Sequence, residues 1–235
     1  MCFGTQSIEA VDKIVGPGNA FVASAKKLLY GNVGIDMIAG PTDITIIADQ
    51  TANPSWIAID ALSQLEHGED SKAFIICDDE IFANKIIAEI DLHLTQLSRR
   101  KIIEKSLKNS AIFIIKNIED AHFISNLIAP EHLEICTKNS SKILKKINNA
   151  GAIFLGNYSP EAIGDYVGGS NHVLPTARSA RFSSGLGVLD FMKRTSILSC
   201  TPDSLRALAP SALALAESEG LGAHARSVAI RLNLE

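Results

Sequence analysis

Two pairs of polar residues in the 235-residue chain have types and spacings that suit metal binding and proton transfer. Gln64 and His67 lie three residues apart in a predicted helix, so both side chains fall on one helix face and could bind one ion. Glu131 and His132 are neighbours at a predicted element boundary, and an acid beside an imidazole can serve two proton transfers near neutral pH. Each pair also has a structural explanation, an exposed helix end for the first and a surface loop for the second.

Two glycine-containing segments add further candidates. Residues 164–176 form the densest polar stretch, in which glycines let the backbone approach a ligand while Asp165 and His172 supply a carboxylate and an imidazole. A connector in which Asp165 caps a turn is the alternative. Residues 16–19, with the sequence GPGN, lie between a predicted strand and helix, which suits either a phosphate cradle or a tight turn. His224 belongs to the last amphipathic helix, where a single histidine is more often a packing or surface residue.

These clusters must be positioned by regularly alternating elements. Apolar, β-branched runs predict strands at residues 44–49, 73–77, 111–115, 133–137 and 152–155. Helices are predicted after the N-cap Asn53, from Asp78 or Asp79 to Leu107 with a break near Ser98, at 118–128 and at 140–147. This order implies right-handed crossovers, and therefore an α/β fold with a doubly wound, mainly parallel, Rossmann-like sheet. Ligands of such sheets bind beyond the carboxyl ends of the strands, so we expect the site there.

The flanks differ from this alternating region. One strand and one helix, joined by the GPG sequence, precede residue 44, and a helical tail follows residue 187 or so. We therefore predict three parts: residues 1–43, a main α/β domain at 44–186, and a helical C-terminal tail at 187–235.

Composition excludes several classes of protein. The formal net charge of -4 provides no excess of positive charge for a nucleic-acid partner, and adjacent Lys26 and Lys27 predict a solvated helix face. No stretch approaches the ~18 apolar residues of a membrane span, and the first residues do not resemble an export signal. The cysteines are too far apart to suggest a disulfide framework or a cysteine zinc site, which favours a cytoplasmic location; they are Cys2, Cys77, Cys136 and Cys200.

Taken together, the polar segments resemble one known family over essentially the whole chain. They occur in the order found in histidinol dehydrogenases: VDKIVGPGNAFV, IDMIAGPTDITIIAD, LSQLEHGEDS, APEHLE, FLGNYSPEAIGDYVGGSNHVLPT and GLGAHARSVAIRLN. The resemblance implies a zinc-containing homodimer that oxidises L-histidinol through L-histidinal to L-histidine with two NAD+, in the last two steps of histidine biosynthesis. It also implies an incomplete sheet, because the family is nearly twice as long and residues 1–43 match its second nucleotide-type domain. A separate amino-terminal half is therefore a candidate partner.

The resemblance also implies roles for individual residues. His132 would take the alcohol proton, and Glu131 would activate water for attack on the bound aldehyde. The remaining roles are zinc binding, one ion per subunit, by Gln64, His67, Asp165 and His224; substrate contacts by Thr42, Gln64, His67, His132, Asp165, His172, Glu219 and His224; and an NAD+ contact by Asn19. Glu219 and His224 would reach the site of the other subunit, because the family's tail crosses the dimer.

Two other functions fit the same residues. One is a non-catalytic zinc-binding remnant or interaction module, which retains the metal cluster without redox chemistry. The other is a zinc hydrolase, since a metal-bound water near Glu131 is also a hydrolytic arrangement.

Overall fold

The computed structural model describes residues 1–234 and divides the chain into two compact units, Met1–Phe191 and a second unit that begins at Met192. In chain order the first unit contains β1 (Lys13–Ile14), α1 (Ala20–Leu29), β2 (Gly34–Ile35), β3 (Asp43–Ala48), α2 (Pro54–Leu65), β4 (Lys72–Cys77), α3 (Glu80–Leu94), α4 (Arg100–Ser106), β5 (Ala111–Ile114), α5 (Ala121–Ile128), β6 (His132–Cys136), α6 (Ser140–Leu144), β7 (Ala152–Leu155) and α7 (Glu161–Tyr166). The second unit contains α8 (Pro202–Ser218) and α9 (Gly222–Ala229). Short 3-10 segments occur at Leu107–Asn109, Ile118–Asp120, Ser179–Arg181, Val188–Phe191 and Ile230–Leu232.

The main sheet has five parallel strands in the order β5-β4-β3-β6-β7. This is the order of a doubly wound sheet, in which the chain runs from the centre to one edge and then returns to build the other half. The predicted α/β fold and parallel sheet are confirmed. The predicted break near Ser98 is also confirmed, because α3 ends at Leu94 and α4 begins at Arg100.

Strand β3 lies at the centre of the sheet and is buried along its whole length. Its side chains alternate between two cores, because successive residues of a strand point to opposite faces. Ile46 packs in the core that contains residues of α2 and α3, whereas Ile47 packs in the core that contains Ala121 of α5 and Ile143 of α6. Both faces of the sheet are therefore covered.

Helix α7 was not predicted, and its presence corrects the interpretation of residues 164–176 as a loop. The glycine at position 164 argued against a helix, but here it permits close packing. A Cβ atom on Gly164 would lie 2.5 Å from the ring of Phe154 in β7. Asp165 is consequently a residue of the last helical turn and does not cap a turn of a connector.

Residues before the main sheet form a small parallel sheet of β1 and β2, connected through α1. The prediction of a solvated face for Lys26 is wrong, although Lys27 is exposed. Lys26 is buried because its ammonium group pairs with Asp36, which is itself buried, at 2.6 Å. Buried charges require such partners.

The second unit is built from α8 and α9. Helix α8 begins with a capping box between Thr201 and Ser204, and its side chains are mostly exposed. Among the described residues, no helix combines the length and apolar character that a membrane span requires.

Candidate active site

A cavity of about 630 Å³ lies at the amino ends of β3 and β6. Thr42 directly precedes β3, and His132 is the first residue of β6. Helices α2 and α7 run back from the carboxyl ends of the strands to their amino ends, so His67 and Asp165 also reach this cavity. The expectation of a site beyond the carboxyl ends of the strands is therefore wrong for this group of residues.

Asp49 accounts for part of this difference. At the carboxyl ends of β3 and β6, its carboxylate accepts hydrogen bonds from the backbone amides of Thr51 and Lys138, both at 2.9 Å. The backbone amides of Thr51 and Lys138 therefore bind the Asp49 carboxylate and are not free to bind a ligand between these two strands.

The cavity collects most of the residues singled out from the sequence. Its lining includes Asn19, Thr42, His67, Glu131, His132, Asp165 and His172. Gln64 is fully buried beside it, where its amide nitrogen donates a hydrogen bond to Thr42. Glu219 and His224 do not line this cavity, since they line a separate cavity of about 560 Å³ within the second unit.

Glu131 is held by the segment that leads into β3. The hydroxyl of Thr42 donates to Glu131 Oε2, and the backbone amide of Asp43 donates to the same oxygen at 3.4 Å. Burial raises the pKa of Glu131 to about 7, against the opposing effect of the Thr42 hydrogen bond and with help from the charge of Asp43. The carboxyl group can therefore bind and release a proton near neutral pH.

His132 is buried and neutral. Neither ring nitrogen has a hydrogen-bond partner within the described part of the chain. Burial lowers the pKa of His132 to about 4, in spite of the opposing charge of Asp165. A neutral imidazole has a ring nitrogen that can accept a proton, but burial makes it a weaker base than an exposed histidine.

Glu161 is a member of the site that the sequence analysis missed. Its Oε1 lies 3.8 Å from His132 Nε2, and Asp165 Oδ1 lies 3.9 Å from the same nitrogen. His132, Glu161 and Asp165 each offer a ligand atom within 4.8 Å of the others. Burial and the neighbouring Asp165 raise the pKa of Glu161 to about 8. Its spacing of four residues from Asp165 would have indicated a shared face, had a helix been predicted there.

The side chains present are suited to a metal ion such as Zn²⁺. Gln64 Oε1 is buried without a hydrogen-bond partner among the described residues, and the nitrogens of His132 are equally free. His67 and Asp165 add an imidazole and a carboxylate to the same cavity. Nitrogen and oxygen donors of these types are ordinary zinc ligands, apart from the glutamine amide, which is uncommon. Of the four residues predicted to bind zinc, three lie in or beside this cavity.

The GPGN segment forms another wall of the cavity and is rigidly held. Asn19 Oδ1 accepts hydrogen bonds from the amides of Phe21 and Val22, at 3.1 and 3.3 Å, and so caps α1. Asp36 accepts the amide hydrogen of Gly16 at 2.7 Å, and Lys26 donates to the Gly16 carbonyl. The segment is therefore held by Asp36, Lys26 and the Asn19 cap, and the predicted contact of Asn19 with NAD+ stays a prediction.

Comparison with known proteins identifies the family. The sequence model of histidinol dehydrogenase matches residues 1–232. The chain belongs to the histidinol dehydrogenase family. The histidinol dehydrogenase of Rhodopseudomonas palustris is 57% identical over 234 residues, which cover 99% of this chain and 54% of that protein. The histidinol dehydrogenase of Brucella suis is 52% identical over 235 residues, which cover 100% of this chain and 55% of that protein.

The fold agrees with this assignment. The crystal structure of histidinol dehydrogenase from Elizabethkingia anophelis is similar with a TM-score of 0.91 and 41% sequence identity, covering 99% of this chain and 54% of that one. The resemblance drawn from the polar segments is therefore confirmed. Histidinol dehydrogenases are oxidoreductases of histidine biosynthesis, and this chain spans about half the length of the relatives it matches.

Proposed function

We propose that the chain carries the metal-binding and acid–base residues of a zinc-dependent histidinol dehydrogenase that oxidises L-histidinol through L-histidinal to L-histidine with NAD+. The observation that carries this proposal is the pairing of a neutral, buried His132 with Glu131, whose pKa of about 7 suits proton transfer, in one cavity. Family membership supplies the reaction class.

His132 acts in each oxidation step. As a hydride leaves the carbinol carbon for the nicotinamide of NAD+, the hydroxyl proton passes to a free ring nitrogen of His132, which yields the aldehyde and NADH. The imidazolium that forms is stabilised by the carboxylate of Asp165, 3.9 Å from Nε2. Glu161 lies 3.8 Å from the same nitrogen, but its raised pKa keeps it mainly protonated near neutral pH. In the resting state His132 is neutral, so a ring nitrogen is unprotonated, and the charge of Asp165 offsets part of the effect of burial on its pKa.

Glu131 acts between the two oxidations. Its Oε2 is occupied by Thr42 and Asp43, which leaves Oε1 for a water molecule. The carboxylate takes one proton from this water while the oxygen adds to the aldehyde carbon, and the imidazolium of His132 returns its proton to the aldehyde oxygen, which forms the hydrate. Loss of a second hydride to another NAD+, with a hydroxyl proton passing to His132, then gives the acid, which ionises to the carboxylate product.

Zinc would be held by Gln64, His67 and Asp165 together with His224, and when bound it would position and polarise the substrate. Thr42, His172 and Glu219 are proposed substrate contacts, and Asn19 is a proposed NAD+ contact. Within the described residues the cavity lining contains no lysine or arginine. The acidic side chains of the lining, which include Glu69, Asp70 and Asp165, favour a substrate that carries an ammonium group, as L-histidinol does.

The proposal includes a cytoplasmic homodimer in which Glu219 and His224 complete the site of the other subunit, as the resemblance implies. It also includes an amino-terminal half as a partner for activity, because the relatives are about twice as long.

The test is complementation. The purified chain, the amino-terminal half of a relative, Zn²⁺, L-histidinol and NAD+ are mixed, and NADH formation is followed at 340 nm. We expect two NADH per L-histidinol, and Glu131→Gln should still form the first NADH but not oxidise the aldehyde. His122→Gln is the matched control, because His122 lies on α5 and is absent from the cavity lining. Zinc binding without NADH formation by the folded mixture would favour the non-catalytic binding module.

A further inference from the structure

Thr42 lies between two residues of the proposed site and contacts both of them. Its hydroxyl oxygen accepts a hydrogen bond from the amide nitrogen of Gln64, near the end of α2, and donates one to Glu131 Oε2, just before β6. Three separate segments therefore meet at a single hydroxyl group. Gln64 is fully buried, so this contact is shielded from water.

The chemistry of the three groups sets the direction of this chain of hydrogen bonds. An ionised carboxylate can only accept, and a hydroxyl has a single proton to donate. When the Thr42 hydroxyl donates its hydrogen bond to ionised Glu131, its other hydrogen bond must come from a donor. The NH2 group of Gln64 is the donor available. The amide oxygen is then turned away from Thr42. In agreement, Gln64 Oε1 is buried and has no hydrogen-bond partner in the part of the chain described.

We propose that Thr42 is a positioning residue that fixes the amide of Gln64 with its oxygen free for the metal ion, with Glu131 setting the direction of the hydrogen bonds. This inference rests on the proposed function, in which Gln64 is a zinc ligand. It is additional to the substrate contact proposed for Thr42, since the hydroxyl proton is already donated to Glu131 while the oxygen can accept one more hydrogen bond. A glutamine without this partner presents either its oxygen or its nitrogen to the site, and the nitrogen of an amide cannot bind the ion.

The inference is tested by metal affinity. The full chain is titrated with Co²⁺, whose visible absorption reports its coordination, in wild type, Thr42→Val and Thr42→Ser. Thr42→Val removes the hydroxyl at nearly constant shape, and we expect about 10- to 100-fold weaker Co²⁺ binding, the usual effect of losing a residue that orients a ligand. Thr42→Ser retains the hydroxyl and should bind Co²⁺ about as tightly as wild type.

A double-mutant cycle separates positioning from a merely structural role. If Thr42 acts through Gln64, Thr42→Val should have little further effect on Co²⁺ affinity in a Gln64→Ala background. An equal loss in both backgrounds would overturn the inference, as would unchanged affinity in Thr42→Val alone. Failure of the wild-type chain to bind Co²⁺ at all would overturn the proposed metal site and this inference together.

A second measurement does not depend on the folding of Thr42→Val. In the metal-free wild-type chain, NMR of the side-chain amide protons of Gln64, assigned by their loss in Gln64→Glu, should show slowed exchange with solvent and persist unchanged in Thr42→Ser. Rapid exchange of both protons in the folded protein would mean that the amide nitrogen is not bound to Thr42, and would overturn the inference.

Discussion

Lys26 and Asp36 form a buried ion pair, with Lys26 Nζ 2.6 Å from Asp36 Oδ1, and both residues also bind Gly16. The ion pair therefore holds the first residue of the GPGN segment, Gly16, through both its amide and its carbonyl group. Burial alone would raise the pKa of Asp36, but hydrogen bonds from Lys26, Gly16 and Met37 lower it below 3.8.

We expect Asp36→Asn to lower the free energy of unfolding by about 3–5 kcal/mol, because it leaves the Lys26 ammonium buried without a counter-charge. Urea unfolding followed by circular dichroism measures this loss. The double variant Lys26→Met with Asp36→Leu removes both charges and should lose much less. An equal loss in the two variants would show that the charge pair is not the cause.

The titration of Glu131 predicts the pH dependence of aldehyde oxidation in the complemented enzyme. Glu131 must be ionised to take a proton from water, and its pKa is raised to about 7 chiefly by burial. The rate with L-histidinal should therefore rise between pH 6 and 8 and level off above that range. Glu131→Gln should remove this dependence and lower the rate at least ~100-fold. A rate that falls across the same interval would contradict the assignment.

Glu134, a buried residue of β6, predicts the pH dependence of stability. Its Oε1 accepts the amide hydrogen of Glu161 at 2.8 Å, whereas its Oε2 is buried and has no hydrogen-bond partner among the described residues. Burial and the charge of Asp60 raise its pKa well above the model-peptide value of 4.5. The folded state therefore favours the protonated form of Glu134. Its contribution to stability is fully present below pH 4.5 and is lost as the pH rises toward the folded-state pKa.

We therefore expect Glu134→Gln to stabilise the metal-free chain at pH 8 by at least ~1 kcal/mol while changing little at pH 4.5. Glutamine keeps an oxygen for Glu161 and adds a donor for Asp60. Urea midpoints at the two pH values measure the difference. Glu104→Gln is the control, because Glu104 is a partly exposed residue paired with Arg100 at the surface. The prediction fails if the control gains as much stability at pH 8.

Metal binding should raise the melting temperature of the chain. At a Zn²⁺ concentration of ~100 times Kd, the stabilisation is about 2.7 kcal/mol, which corresponds to several degrees for a chain of this size. His67→Ala should remove most of this rise. His122→Ala should retain it, because the ring of His122 bonds to the carbonyl of Glu119, just before α5, and not to the site. Loss of the rise in both variants would rule out a specific role for His67.

The outer edge of β7 predicts self-association. β7 is the last strand of the main sheet, and its Ile153 and Leu155 side chains are 38% and 42% exposed. Because an open apolar edge can pair with another chain, Leu155→Lys should reduce aggregation of the isolated chain, as measured by light scattering at 37 °C. Ile81→Lys on α3 also replaces an exposed apolar residue and should have no such effect. Equal reductions would show that charge alone is responsible.

The strands of the main sheet could be predicted from the sequence because each is a short apolar run rich in β-branched residues. The packing of two cores against β3 follows from the same pattern. Helix α7 could not be predicted, since Gly164 argues against a helix until the ring of Phe154 is known to occupy the space of its missing side chain.

The composition of the site was predictable, but its place and one member were not. Ligands of parallel sheets usually bind beyond the carboxyl ends of the strands, which predicted the wrong end here. His67 and Asp165 lie at the amino ends, because α2 and α7 run back to that side of the sheet. Glu161 looked like an ordinary acidic residue near a helix start, and its role depends on the return of α7 to His132. Lys26 looked solvated because its partner Asp36 is ten residues away along the chain.

The placement of the cavity at the amino edge also gives it an internal electric polarity. His67 lies just past the carboxyl end of α2, where the helix dipole carries partial negative charge, and the same lining contains Ala20 at the amino end of α1, where the dipole carries partial positive charge. A ligand with a cationic and an anionic part is therefore favoured with its cationic part toward α2 and its anionic part toward α1. The backbone thus adds an orientation preference to that of the side chains.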